Sequence, residues 1–351
     1  MQACHFDTPQ DIFPVERDPT LYYASGDCVI RVQQTLFKIH RFQLTNNSPV
    51  FDALFSLPVG EISLVEGSSD ELPIVLDGDT ASDFSSLLKF IYAPVISTQI
   101  RAISASELPH VVAVARLAHK YDMEPWQTWA FLVFASHYRT PAVSKQLSSS
   151  DIATIYKVCD RPQGLTLRNE MADLWLRRIE SDPALLSAAL DAAESESDER
   201  FLTRLYALHL ARTDTLSTLG SPTPFPTEGI PAVHLPRMLT GYWSLSTSYA
   251  QLRASPPHFP PYLAYCSIGE HEKCLRTWKS SWEEALTSAE CEHPSVCAMD
   301  ARLERVKRAL ADGVQRWTCY DAFIGNGEPV QKIVDDFKLQ NHFFPVTVEA
   351  G

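Results

Sequence analysis

Between Gly26 and Tyr92 the apolar positions change period several times. Cys28, Ile30 and Val32 alternate with Val29 and Arg31, the period of two of a strand. Gln33-Gln34-Thr35 leads to Leu36-Phe37-Lys38-Ile39, a second strand, and so close a connection predicts a hairpin, although the favoured Asn-Gly or Asp-Gly is missing. Ser48-Pro49 predicts a helix start, a hydroxyl N-cap before proline. Val50, Phe51, Leu54 and Phe55 then mark one helical face. Residues 56–72 are polar and rich in Gly, Ser, Asp and Glu, which predicts a mobile loop. Pro73-Ile74-Val75-Leu76 predicts a short buried strand, ended by Asp77-Gly78. Thr80 with Asp83 caps a helix whose Phe84, Leu87, Leu88 and Ile91 form an i, i+3, i+4, i+7 stripe. Ser104 with Glu107 caps another, which carries Leu108, Val111, Val112, Ala115 and Ala118 on one face. A further helix is expected from Pro125 to Tyr138. The order implies an α+β domain, a small sheet capped by helices.

Beyond that domain the period is helical almost throughout. Ile152, Ile155 and Tyr156 form one stripe, and Leu167, Met171, Leu174 and Trp175 another. Asp198 caps a helix carrying Phe201, Leu202, Leu205 and Leu208. Residues 216–236 are proline-rich and read as a linker or long loop. Helical spacing resumes with Leu239, Tyr242 and Trp243 on one side, then Leu275, Trp278, Trp282 and Leu286, then Leu303, Val306, Leu310 and Trp317, then Val330, Ile333, Val334 and Phe337. Ser255-Pro256-Pro257-His258-Phe259-Pro260-Pro261 cannot be helical, because proline lacks the donor and fixes φ. It is either a polyproline ligand or a segment packed on the domain. A tryptophan stripe in so acidic a chain reads as core before it reads as a base-stacking platform.

At 351 residues the chain has room for two or three domains. Its net charge of -13 opposes broad binding to a phosphate backbone. The densest basic cluster is Arg302, Arg305, Lys307 and Arg308. No run of apolar residues is long enough to cross a membrane, and the N-terminus, with His5, Asp7, Asp11 and Glu16, lacks a signal core. The expectation is therefore an intracellular protein, cytoplasmic or nuclear, with reduced cysteines; Cys4, Cys28 and Cys159 read as small core residues. No phosphate-binding glycine loop, dinucleotide fingerprint, nucleophile elbow or His-Glu-x-x-His motif is present. Adjacent acids such as Asp335-Asp336 and Glu283-Glu284 point about 100° apart on a helix. The expected class is a non-enzymatic binding protein.

The elements from residue 15 to 138 resemble a BTB/POZ domain, in order and in spacing. The resemblance implies an interaction module with no catalytic centre of its own. Asp27 and His40 fall where that family has its characteristic Asp and His, which with Ser48 and Phe51 imply fold support. BTB domains commonly homodimerise through the first helix and an N-terminal extension. Here Phe13, Leu21, Tyr22 and Tyr23, with Phe6 and Ile12, would supply such an arm, or the two tyrosines would pack on the core. Some BTB domains also recruit a cullin scaffold of ubiquitin ligases through a hydrophobic-X-Glu triplet. Val59-Gly60-Glu61, just past Phe55, matches in type, and the implied scaffold face is Phe55, Val59, Glu61, Leu108 and Tyr121. Helices after a BTB domain are the order of adaptors with a helical extension called BACK, though the residues do not single that module out. The sequence of Trp243, Cys266, Cys274, Trp278 and Trp282 resembles fungal BTB proteins with a helical C-terminal region.

The expected layout is a tail at 1–14, the BTB/POZ domain at 15–138, a helical extension at 139–213, a linker at 214–234 and a mostly α-helical C-terminal domain at 235–351. A structural zinc has one plausible home. Cys266, His271, Cys274 and Cys291 are the first candidate ligands, although no Cys-x-x-Cys pair exists and the separations are irregular. A set of reduced, half-buried cysteines accounts for the same residues. The functional expectation is an adaptor that pairs copies or docks a scaffold through one end and holds a protein partner with the other, possible cullin binding included. A nuclear co-regulator scaffold without ligase role is the competing expectation, and a zinc-stabilised nucleic-acid reader on residues 266–319 is a third.

Overall fold

Strand β1 (Glu16–Tyr22) lies parallel to β3 (Thr35–Ile39), which pairs antiparallel with β2 (Cys28–Val32), and β2 pairs parallel with β4 (Ile74–Val75). The sheet order is β1-β3-β2-β4. The computed structural model describes residues 14–57, 66–93, 103–217, 229–258, 267, 269–312, 331–333 and 337–345. The chain divides into two compact units, Met1–Asp173 and Leu174–Gly351.

The hairpin expected from the alternating pattern is β2–β3. Its turn takes a left-handed conformation at Gln33, φ 53°, without a glycine. The Gln33 side chain compensates in part, since its Oε1 accepts the Ala81 N–H at 3.0 Å. Cys28, Val29, Ile30 and Val32 are all buried, because β2 is an inner strand flanked by β3 and β4. Strand β1 is not legible as a strand from its residues. Asp18-Pro19 reads as a breaker, yet Pro19 sits on an edge strand, where a missing donor costs no ladder bond. Asp18 Oδ1 accepts the Thr20 and Leu21 N–H groups, each at 2.8 Å, at the point where the register shifts.

The polar stretch at 56–72 departs from the mobile loop expected, over its described half. Gly67, at φ 81°, accepts the Val29 N–H at 2.8 Å and donates to Leu72 O at 2.6 Å. A side chain at Gly67 would press on Cys28 and Ile74. Asp70 accepts from the Tyr22 hydroxyl at 2.5 Å and from Arg17 Nε at 2.7 Å. The turn is thus tied to β1 and β2 by hydrogen bonds that composition does not reveal.

Helices α1 (Arg41–Thr45) and α2 (Pro49–Phe55) follow the hairpin. Ser48 caps α2 as expected, accepting Phe51 N–H at 3.1 Å, and its hydroxyl donates to Tyr121 O. Helix α3 (Ala81–Ile91) is capped by Thr80, and packs on α4 (Leu108–Lys120), which packs on α5 (Glu124–Tyr138). Asp83 of α3 pairs with Arg116 of α4. Ser104 makes the expected bonds to Glu107, through both its N–H and its hydroxyl, at 3.0 Å.

Two further helices, α6 (Pro141–Gln146) and α7 (Ser149–Val158), belong to the same unit. Buried Gln127 of α5 donates to Val158 O at 2.8 Å, and Arg139 pairs with Glu170 at 2.9 Å. These bonds hold residues 139–173 to the first unit. The division falls inside α8 (Leu165–Ser181), within the stretch expected as one extension.

The second unit contains α9 (Leu186–Ser195), α10 (Glu199–Ser217), α11 (Leu235–Ala254), α12 (His271–Glu292), α13 (Met299–Asp312) and α14 (Leu339–Phe343). Among the described residues it is helical throughout. Asp198 caps α10 through Phe201 N–H at 2.9 Å, as expected. Trp278 and Trp282 are buried between α12 and the end of α11, donating to Pro257 O at 3.0 Å and Leu252 O at 3.3 Å. The Ser255–His258 stretch is therefore packed on its own unit through a backbone carbonyl.

One buried polar contact organises the first unit. Asp79 is buried; its carboxylate accepts the Tyr121 hydroxyl and lies 2.9 Å from Lys120 Nζ. Tyr121→Phe removes a donor from that carboxylate. We expect a loss of about 1–3 kcal/mol, read as a lower urea midpoint, and an unchanged midpoint would contradict this role.

Candidate protein-interaction surfaces

Asp27 and His40 pin the first helix to the sheet. Asp27 Oδ1 accepts Arg41 N–H at 2.7 Å, the first turn of α1. His40 donates its backbone N–H to Tyr92 Oη at 2.9 Å, its Nδ1 lies 3.0 Å from the same oxygen, and its Nε2 lies 3.1 Å from Ser25 Oγ. The imidazole is thereby engaged on both nitrogens, in keeping with structural support. Ser48 and Phe51 join the same fabric: Phe51 is fully buried and stacks on Tyr121 at 4.5 Å.

The residues expected to form a dimer arm are used within their own unit. Leu21 is buried. Tyr22 bonds to Asp70, and Tyr23 stacks on Tyr92 with centroids 4.8 Å apart. Phe13 lies outside the described residues.

The scaffold face needs correction. Leu108 and Tyr121 are buried, 2% and 6% exposed, so neither side chain is presented to a partner. Leu108 opens α4 with its apolar face inward, and Tyr121 is held by Asp79 and Phe51. Burial and the Asp79 hydrogen bond drive the Tyr121 phenol well above its ordinary value. Phe55 stays half-buried, stacked 6.1 Å from Phe51 with the Arg41 guanidinium 5.4 Å over its ring. Val59 and Glu61 lie outside the described residues. What the pattern missed is that α1 and the ends of α2 leave Phe42, Val50 and Leu57 exposed. Phe42 and Val50 sit beside the buried Leu44 and Phe51, and only three-dimensional packing separates the two sets.

The three described candidates for zinc ligands do not converge. His271 and Cys274 lie one turn apart on α12, but Cys291 is seventeen residues further along the same helix, about 25 Å away. It cannot share a tetrahedral ion with them. Cys266 lies outside the described residues, and among the described residues no three His, Cys, Asp or Glu side chains gather as a metal site. Two buried thiols of the first unit are held protonated: burial pushes Cys28 up to about 11 and Cys159 up to about 12.

The basic cluster is largely consumed by structure. Arg302 is buried, donates to His293 O at 2.7 Å and Pro294 O at 2.5 Å beyond the end of α12, and stacks 4.7 Å over Tyr249. Arg305 pairs with Glu292 at 2.5 Å, and Lys307 bonds to Gln331. These contacts leave little of the cluster as an open cationic surface.

Among the described residues of the second unit, helix α11 exposes two large apolar side chains, Leu239 and Trp243. The inward face is Met238, Gly241, Leu245 and Tyr249. Leu239 and Trp243, read as one side with Tyr242, instead point outward, with Trp243 74% exposed. The two arginines of α11 pair with acids near its ends, Arg237 with Glu194 and Arg253 with Glu290, the latter at the surface. The exposed turns around Leu239, Thr240, Trp243 and Thr247 therefore carry no charge. No helix among the described residues is long and apolar enough to cross a membrane.

With this geometry in hand, the family model of the BTB/POZ domain matches residues 22–130. No curated protein matches the chain. The match covers the sheet from the end of β1 and the helices through the first half of α5.

The contrast between tryptophans is testable. Trp243→Ala should move unfolding stability by less than about 0.5 kcal/mol, as for an exposed side chain. Trp282→Ala empties a core position and should cost about 3–5 kcal/mol. Chemical denaturation of the two variants checks this, and equal losses would contradict the outward placement of Trp243.

Proposed function

Residues 22–130 are a BTB/POZ domain, and from that premise we propose that the chain is a non-enzymatic adaptor. Its first unit pairs with a second copy or docks a scaffold, and its second unit holds a different protein. The observation that carries the reading is one chain with an interaction domain followed by a separate helical unit exposing uncharged Leu239 and Trp243. Exposed tryptophan is a favoured anchor in protein interfaces. Two binding events on one chain raise the effective concentration of one partner near the other, and no bond need be made or broken.

The exposed Phe42, Val50 and Leu57 of the first unit are consistent with a copy or scaffold on α1 and α2. In the ubiquitin-ligase form of this reading, Val59 and Glu61 meet a cullin beside Phe55, and the second unit selects the target. The adaptor acts inside the cell, in cytoplasm or nucleus.

Two measurements test these finer assignments. Tagged chain recovered from host-cell lysate should enrich a cullin, and Val59→Asp with Glu61→Lys should abolish that enrichment while leaving the circular dichroism spectrum unchanged. Enrichment indifferent to the double variant would remove the triplet from the account, and its absence from the wild type would favour a co-regulator scaffold. Light scattering should give twice the 39.3 kDa chain mass, and a monomer at micromolar concentration would contradict pairing.

A further inference from the structure

The second unit contains a buried polar cluster that the adaptor reading does not use. His234, at the start of α11, is 0% exposed. Its Nδ1 lies 2.8 Å from Tyr206 Oη, and Arg237 Nη1 donates to that oxygen at 3.1 Å. Because Tyr206 accepts from Arg237, its own proton is free to go to His234 Nδ1. That makes His234 the neutral Nε2–H tautomer. The Nε2 atom is buried without a hydrogen-bond partner.

The same cluster holds the segment at the end of the described chain. Tyr206 stacks on Phe344 with centroids 6.2 Å apart and meets Phe343 at 5.5 Å. Arg237 lies 4.9 Å over the Phe344 ring. Phe343 seats against Gly241 of α11, where any β-carbon would overlap its ring. One residue earlier, His342 Nδ1 lies 2.9 Å from Ser244 Oγ, and its ring lies 4.9 Å from Phe337. Two half-buried or buried imidazoles therefore flank one aromatic contact.

We propose that His234 and His342 form an acid-released latch that holds Phe337–Pro345 on α10 and α11 while both imidazoles are neutral. A proton on His234 places a second cation beside Arg237, on a ring sealed from water. The other groups facing His234 are Glu194, 4.0 Å from Nδ1, and Asp191, both on the α9 side. These acids favour the proton, but burial first and Arg237 with it outweigh them, and His234 is held below its ordinary value of 6.5. Burial alone lowers His342 from 6.5. The charged groups near its segment are Lys338 on the segment itself, Glu199, Arg200 and Arg204 of α10, and Asp300 of α13.

The sign follows from linkage. Undocked, each imidazole takes its proton at its ordinary value; docked, only at lower pH. The docked form binds fewer protons, so its stability is complete above about pH 6.5 and is lost as the pH falls through the docked pKa values. Release uncovers Phe343, Phe344 and the groove at Gly241, an apolar surface present only in acid.

Hydrogen exchange of the full chain, corrected for intrinsic rates, tests this at about pH 7.5 and about pH 5.0. The amides of Leu339–Phe344 should lose protection severalfold in acid while those of α12 keep theirs. His234→Gln with His342→Gln should abolish the difference, and Gly241→Ala should leave the segment unprotected at both pH values. Equal protection at both pH values in the wild type, or the same acid loss in the double variant, would overturn the latch. Should the variants fail to fold, NMR titration of the wild-type histidines decides: His234 and His342 below 6.5 support it, and values at or above 6.5 sink it.

Discussion

Tyr121 is where three connections of the first unit meet. Its hydroxyl goes to the buried carboxylate of Asp79, which ends the β4 region and leads into α3. Its backbone oxygen accepts from Ser48, the cap of α2, and its ring lies against Phe51. The next helix begins shortly beyond, at Glu124. A buried carboxylate without such partners would be costly, so the contact constrains the ends of α2, α3 and α4 together. The strand β4 is two residues long and is held by its pairing with β2. What the unit presents outward, including Phe42 and Leu57, is set by how firmly those helix ends are held.

The second unit rests on a different constraint, the burial of large aromatic side chains with their polar atoms satisfied. Trp278 and Trp282 give their N–H groups to carbonyls at and beyond the end of α11, so a proline-rich exit becomes part of the core. Arg302 satisfies carbonyls beyond α12 in the same way. With Arg237 and Arg253 turned to their own acids, the outer turns of α11 are left uncharged around Trp243. Trp243 is thereby an exposed aromatic side chain of the kind that interfaces use as anchors.

Much of this is readable from residue periods and caps. The β2–β3 alternation, the Ser48, Thr80 and Asp198 caps, and the stripes at Phe84–Ile91 and Leu167–Trp175 all lie where local chemistry puts them. What is not readable depends on long-range contacts. Strand β1 is hidden by Asp18-Pro19 because an edge strand tolerates proline. The polarity of 66–72 conceals a turn whose bonds go to residues about forty to fifty positions away. Helical spacing groups Leu239 with Trp243 but does not say which face is wet; that is decided by Phe343 at Gly241, about a hundred residues on. Tyr121 reads as outward for the converse reason, since its partner Asp79 lies far back in the sequence.

The central claim is that one chain carries two separable interaction surfaces. The most direct measurement compares the proteins recovered with wild type, Phe42→Asp and Trp243→Asp from the same lysate by quantitative mass spectrometry. The account predicts two partner sets, one lost with Phe42→Asp and the other with Trp243→Asp, each variant retaining the other's set. Loss of one and the same set by both variants, or of none by either, would contradict it.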